Sequence, residues 1–231
     1  MTPGASPPEV GGEKTLLSVN VGRPRPNPIK KSRLTGIDKQ PVDGYVSVAD
    51  PGSGGTGLVG LAGDRAYDTK AHGGSDQAVY AYAREDLDKW AAELDRPLAH
   101  GAFGENLTTL GLDLDGALIG ERWRIGPDVV LEVSCARLPC ATFQRWLERD
   151  NWIKRFTGAA RPGAYLRVIE PGKIRAQDSI ELLHRPDHDV SVALVFRAMT
   201  LEPVLLPRLL VADALAERDK ERIRRRSTRP L

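Results

Sequence analysis

The chain has 231 residues, 41% hydrophobic and 28% charged, proportions of a globular protein with room for one domain and a small appendage. A net charge of +2 excludes a broadly basic, nucleic-acid-coating surface, so any polyanion site must be local. Two cysteines are too few for a disulfide framework, a structural zinc site or a four-cysteine iron–sulfur cluster.

No run reaches the roughly 18 consecutive apolar residues of a membrane span, and the start lacks the apolar stretch of a secretion signal, so a cytoplasmic protein without membrane association is expected. Residues 1–14, rich in Gly and Pro, read as a disordered lead-in. Residues 15–22 (TLLSVNVG) read as a first strand, after which Pro24, Pro26 and Pro28 rule out a helix or a central strand. A second strand is expected at residues 44–49. The glycine-rich residues 50–60 form a surface loop without the Lys-Ser/Thr ending of a phosphate-binding P-loop.

Residues 76–82 read as a strand and residues 84–94 as an amphipathic helix, with Leu87, Trp90, Ala91 and Leu94 at helical spacing. Short strands recur at residues 117–119, 122–125, 129–133, 164–169 and 179–184. This pattern predicts a mainly β protein with scattered helices, closed or nearly closed, and not a series of βαβ units. Residues 190–199, 204–213 and 215–226 are helical in pattern and suit a small helical appendage. Its last segment carries Arg218, Lys220, Arg222, Arg224, Arg225 and Arg226, interleaved with Glu217, Asp219 and Glu221, the pattern of a solvated helix face and not of a nucleic-acid surface.

Cys140 stands where a strand-like run gives way to a helix-like one, at the end of Ser134-Cys135-Ala136-Arg137-Leu138-Pro139-Cys140. Helix-start amides and the cationic Arg137 both favour thiolate, the form that attacks electrophiles or binds a soft metal. The plain alternative is a buried thiol acting as a small apolar residue. Two further polar clusters accompany it. In Asp68 to Tyr80, the pair Gly73-Gly74 after His72 lets the backbone approach a ligand closely. In Phe103-Gly104-Glu105-Asn106-Leu107-Thr108, a carboxylate, an amide and a hydroxyl sit between apolar residues.

Taken with Val19-Asn20-Val21-Gly22, Leu34 to Lys39, Gly63-Asp64 and the run Arg161 to Val168, these clusters resemble the MOSC domain. That domain is the molybdenum-cofactor-binding module named after the C-terminal part of molybdenum cofactor sulfurase, and the match is to its stand-alone YiiM-type branch. The resemblance implies a MOSC-type β-barrel with flanking helices over residues 15–186 and a three-helix extension over 187–231. It also implies a pocket for molybdopterin-bound molybdenum, with Cys140 as the metal ligand. Arg137, Arg161 and Arg167 become candidate cofactor anchors, and Thr35, Thr108 and the Gly73 and Gly74 amides candidate neutral donors. Glu105 and Asn106 match the family's polar pair, although a buried carboxylate often only ties a loop. His72 has three roles open to it: orienting the cofactor, delivering a proton, or bonding the turn. Asp68 fits a structural role, and Lys39 and Lys70 are anion contacts without independent support. Pyridoxal phosphate binding is associated with such domains at family level.

This chain carries Cys135-Ala136 where the YiiM-type pattern has Gln-Pro, and its 50–60 loop is long; both bear on pocket shape and substrate choice. The implied activity is two-electron reduction of N-hydroxylated compounds, such as 6-hydroxylaminopurine, to amines. With no flavin, NAD or iron–sulfur element in the sequence, electrons are expected from a separate reductase, with the helical tail as its docking surface. A homodimer is left open. Two other function classes stand beside this one: a carrier of the cofactor or of a persulfide on Cys140, and a metal-free cysteine hydrolase using Cys140 and His72.

Overall fold

Strand β1 (Thr15–Pro26) runs through the proline segment that was expected to end it. Two features permit this. Residues 20–26 pair only with β2 (Leu34–Pro41), and the register shifts between Arg23 and Arg25, at Pro24. A proline nitrogen that donates nothing is tolerated at such a one-sided, bulged position. The computed structural model describes residues 13–29, 33–70 and 72–227, so the expected lead-in lies outside the described residues except for its last two.

After the short β3 (Val46–Val48) come β4 (Val79–Ala83), α1 (Arg84–Leu94), β5 (Leu107–Leu110), β6 (Arg122–Ile125) and β7 (Val129–Ala136). Then follow α2 (Ala141–Leu147), α3 (Trp152–Ala159), β8 (Ala164–Glu170), β9 (Gly172–Ile174) and β10 (Ile180–His184). The strand expected at residues 117–119 is instead a single bridge between Leu118 and Ser191. The main sheet has eight strands in the order β10-β6-β7-β8-β4-β5-β1-β2, while β3 and β9 pair separately. It is mixed: β4 and β5, joined by α1, are parallel, and the other pairs are antiparallel.

The expected barrel is not a continuous closed ladder. The start of β1 meets the start of β10 through one bridge, Thr15 to Ser179, with Leu16 N donating to Asp178 O (2.9 Å) and Ile180 N to Lys14 O (2.8 Å). The sheet therefore curls until β1 and β10 touch, and its inner face holds a continuous apolar core.

Against that core α1, α2 and α3 bring a group of rings. Phe103 lies 5.0–6.4 Å, centroid to centroid, from Tyr82, Trp90, Phe143, Trp152 and Phe156, several of them edge to face, the geometry that adds to area burial. The C-terminal segment packs on the same core. It comprises α4 (Val192–Thr200), a 3-10 helix (Pro203–Val211) and α5 (Glu217–Ser227). Pro207 inside the middle segment lacks an N–H and blocks an α-helical bond there. Val190, Val195 and Phe196 are buried, Phe196 lies 6.1 Å from Phe156, and Ala216 N donates to Ser134 O. The tail is thus not an attachment that can be removed without exposing core. Its basic residues are largely paired, Arg224 with Glu217 and Arg225 with Glu221, as a solvated face requires. Among the described residues, no helix is long and apolar enough to cross a membrane.

Phe103 is fully buried at the centre of the ring cluster. Phe103→Ala should destabilise the fold by about 3–5 kcal/mol, read from the denaturant midpoint; a loss under about 1 kcal/mol would mean that the cluster contributes little.

Candidate functional site

β7 ends at Ala136, and the link Arg137-Leu138-Pro139-Cys140 carries the chain to α2. A register shift between Val133 and Cys135 breaks the ladder immediately before the link, as bulges beside functional sites commonly do. Pro139 biases the link towards an extended path. Cys140 is the extended N-cap of α2 (φ −129°, ψ 166°), but its side chain caps no amide. It faces a cavity of about 280 Å³, near the lower end of small-ligand sites.

Arg137 forms the floor of this cavity. Only 6% exposed, its guanidinium carbon lies 3.7 Å from the Phe143 ring centroid and 5.1 Å from that of Tyr80. Its Nη1 is buried without a hydrogen-bond partner. Tyr80 and Tyr165 are cross-strand partners in β4 and β8, so both reach the same cavity, with rings 5.2 Å apart. Burial pushes the Tyr165 phenol up to about 12 and Tyr80 further up, so both keep their protons at neutral pH.

The turn at His72 supplies the opposite wall. Gly73 and Gly74 both have positive φ, and a Cβ on Gly74 would lie 2.8 Å from the backbone of Gly54. Two glycines are therefore needed for the 50–60 loop to close over the turn. His72 and Gly73 line the cavity; Gly74 does not, and its amide donates to Leu58 O. Gly74, His72 and Gly73 all border a second, more polar cavity of about 430 Å³ that reaches Arg218 at the start of α5. Burial, with the nearby Arg137 charge, pushes the His72 imidazole down to about 4. At neutral pH it is uncharged, an N–H donor and an acceptor but not a reservoir of free acid.

The predicted residues separate into two groups. Cys140, Arg137, His72, Gly73, Thr35 and Asn106 are brought together around the cavity. Within that group Asn106 is structural: Nδ2 donates to Asp64 Oδ2 (2.6 Å) and Asn20 O (3.2 Å), and Oδ1 accepts from Tyr80 N (3.2 Å). Asp64 also pairs closely with Lys39, which leaves the cavity no free lysine amine for pyridoxal phosphate among the described residues.

Besides Gly74, four expected contacts lie outside the cavity lining. Glu105 accepts from Gly101 N (2.6 Å), Phe103 N (2.9 Å) and Thr108 Oγ1 (3.1 Å), tying its own loop. Thr108 in turn accepts from Asn20 Nδ2. Arg161 pairs with Glu93 (2.7 Å) and stacks 4.6 Å from the Trp90 centroid; Arg167 pairs with Asp76 (2.7 Å) and Glu132 (2.8 Å). Their carboxylate partners hold both guanidiniums away from the thiol. Conversely, Arg65, Tyr67, Gln77, Tyr80 and Tyr165 line the cavity without having been singled out as site residues. Strand alternation could have flagged the tyrosines, and Arg65 directly follows the noted Gly63-Asp64. Cys135 is buried, pushed up to about 12 by burial, and both cysteines are free thiols.

The model of the MOSC domain matches residues 68–181, and the chain belongs to the MOSC domain family. Among its relatives, protein YiiM of Escherichia coli is 30% identical over 81% of this chain and 82% of its own length. Uncharacterized protein YflK of Bacillus subtilis is 32% identical over 77% of each chain. A protein named Reductase from Gibberella moniliformis is 33% identical over 90% of this chain, which spans 37% of that relative. The crystal structure of YiiM from Geobacillus stearothermophilus superposes with a TM-score of 0.74 at 27% identity, covering 92% of this chain and 98% of that one.

The His72 imidazole should titrate in an NMR pH series with a midpoint near 4. Its depressed value means the unfolded chain takes up the proton first, so His72 lowers stability progressively as pH falls from about 6.5 towards 4. A midpoint near 6.5 would contradict the burial described.

Proposed function

We propose that this protein binds a molybdenum cofactor through Cys140 and reduces N-hydroxylated compounds to amines. The observation that carries the reading is the shared cavity of Cys140 and Arg137, whose Nη1 is buried without a partner. That donor set fits the group: a thiol suits a soft or sulfur-bound metal, and an uncompensated guanidinium suits the cofactor's anionic portion. Membership of the MOSC family and the relative named Reductase support the same reading.

When bound, the cofactor supplies a metal centre able to exchange two electrons and accept an oxygen atom. Cys140 holds it as thiolate, and Arg137, which cannot lose its proton, binds and orients its anionic portion. Thr35 and Gly73 bound the same space. The overall conversion, R–NHOH with two electrons and two protons giving R–NH2 and water, needs proton donors at the departing oxygen. Neutral His72, through a ring N–H, and the protonated Tyr165 hydroxyl are the candidates on the wall. Electrons arrive from a separate reductase. In the relative named Reductase, most of the length lies outside the matched part, which leaves room there for such a function in the same polypeptide.

Protein made in a cofactor-competent host should contain molybdenum, and Cys140→Ala should lower it at least about ten-fold and abolish reduction of 6-hydroxylaminopurine. Equal metal in both would remove the central assignment. Metal without reduction of any hydroxylamine would favour a carrier.

Arg137→Met keeps much of the side-chain length but removes the charge. It should lower molybdenum content while leaving a folded protein by circular dichroism; unchanged content would remove Arg137 from cofactor binding.

A further inference from the structure

The cavity has a buried floor and an exposed rim. Arg137, Gln77, Tyr80 and Asn106 are buried, whereas Arg65, Ile29 and Leu34 are exposed, the last two to 45% and 44%. Half-buried Tyr67 lines the same cavity, so the cavity's exposed part holds apolar and aromatic surface together with the Arg65 charge.

The lining carries three cations, Lys39, Arg65 and Arg137, against one carboxylate, Asp68. Their situations differ. Lys39 is neutralised by Asp64. Arg137 is at the floor, stacked on Phe143. Arg65 makes no ion pair with any described residue, and its Nε lies beside Gly57 of the 50–60 loop. That glycine has positive φ and would place a Cβ 2.7 Å from Ala66 O, so the loop is held against the segment that carries the arginine.

A solvent-facing guanidinium within an apolar and aromatic rim suits a flat apolar body with an anionic substituent. The body covers Ile29, Leu34 and Tyr67, and the anion meets the planar N–H fork. We propose that the preferred substrates are N-hydroxylated aromatic or heteroaromatic compounds bearing a carboxylate or phosphate, selected by Arg65. This rests on the reductase reading given above. It adds to that reading a charge preference, under which a neutral base such as 6-hydroxylaminopurine is a substrate bound more weakly than an anionic one. An anion at Arg65 has two sources, the substrate or the cofactor's own phosphate, and the experiment separates them.

The test is calorimetric binding of benzamidoxime and 4-carboxybenzamidoxime to protein from a cofactor-competent host, wild type against Arg65→Gln, with molybdenum measured in the same samples. The carboxylate compound should bind wild type about five- to ten-fold more tightly. The ratio should fall to about one in Arg65→Gln, and should shrink in wild type as salt is raised. Equal affinities in wild type, no measurable binding of the carboxylate compound, or a ratio that persists in the variant would overturn the proposal. So would loss of molybdenum in Arg65→Gln, because the guanidinium would then serve the cofactor. Absence of molybdenum from wild type counts against the reductase reading and is scored separately, because the ratio is a binding measurement independent of turnover.

Discussion

A guanidinium cannot shed its proton to escape burial, so a structure that places Arg137 at 6% exposure must compensate a full charge by other means. Neighbouring rings supply part of this: Phe143 at 3.7 Å and Tyr80 at 5.1 Å each contribute on the order of 1 kcal/mol. The effective penalty for burying an ion is several kcal/mol, and no carboxylate salt-bridges this one among the described residues. The balance leaves a positive potential in the cavity that Cys140 shares. That potential adds to burial in holding His72 uncharged, favours anionic ligands and makes the link between β7 and α2 the electrostatic centre of the molecule.

The rest of the site is arranged so that this charge meets no carboxylate among the described residues. Asp64, the carboxylate that engages the neighbouring Lys39, is fixed there by Asn106 Nδ2 and by the amides of Gly22 and Arg65. Glu105 is turned the other way by the Gly101 and Phe103 amides. Arg161 and Arg167, which would add charge to the cavity, are drawn outward by Glu93, Asp76 and Glu132. Polar residues that look equivalent along the chain thus divide into those that build the frame and those that face the ligand. What divides them is whether a buried donor or acceptor nearby needs them more.

Much of the fold was legible because its cause is local. The helix at α1 follows from apolar spacing, and β6, β7, β8 and β10 follow from short apolar runs between turns. Strands β2 and β5 were not legible as strands. Leu34–Pro41 has no apolar alternation and exists because β1 pairs with it, while Leu107–Leu110 gains its place from flanking β1 and β4. The middle segment of the tail is helical as its pattern predicts, and winds as 3-10 around Pro207. Strand β1 runs past the expected end at Gly22 to Pro26, because pairing on one side only does not need the N–H that Pro24 and Pro26 lack, and along that stretch it is not a central strand.

The sequence by itself determined the family, the candidate thiol with its arginine, and the histidine–glycine turn, because each is a short motif whose chemistry lies in contiguous residues. Tertiary structure alone decided which charges converge. Arg137 has no carboxylate partner among the described residues while Arg161 and Arg167 are neutralised, Asn106 and Glu105 become struts, and Arg65 stands at the rim. Glu105 is tied by neighbours within four residues, but the Asn106, Arg161 and Arg167 outcomes depend on partners between 26 and 91 residues away, such as Asn106 with Tyr80 and Arg167 with Asp76. No periodicity in a single chain encodes how far a folded sheet will carry one carboxylate towards one guanidinium and away from another.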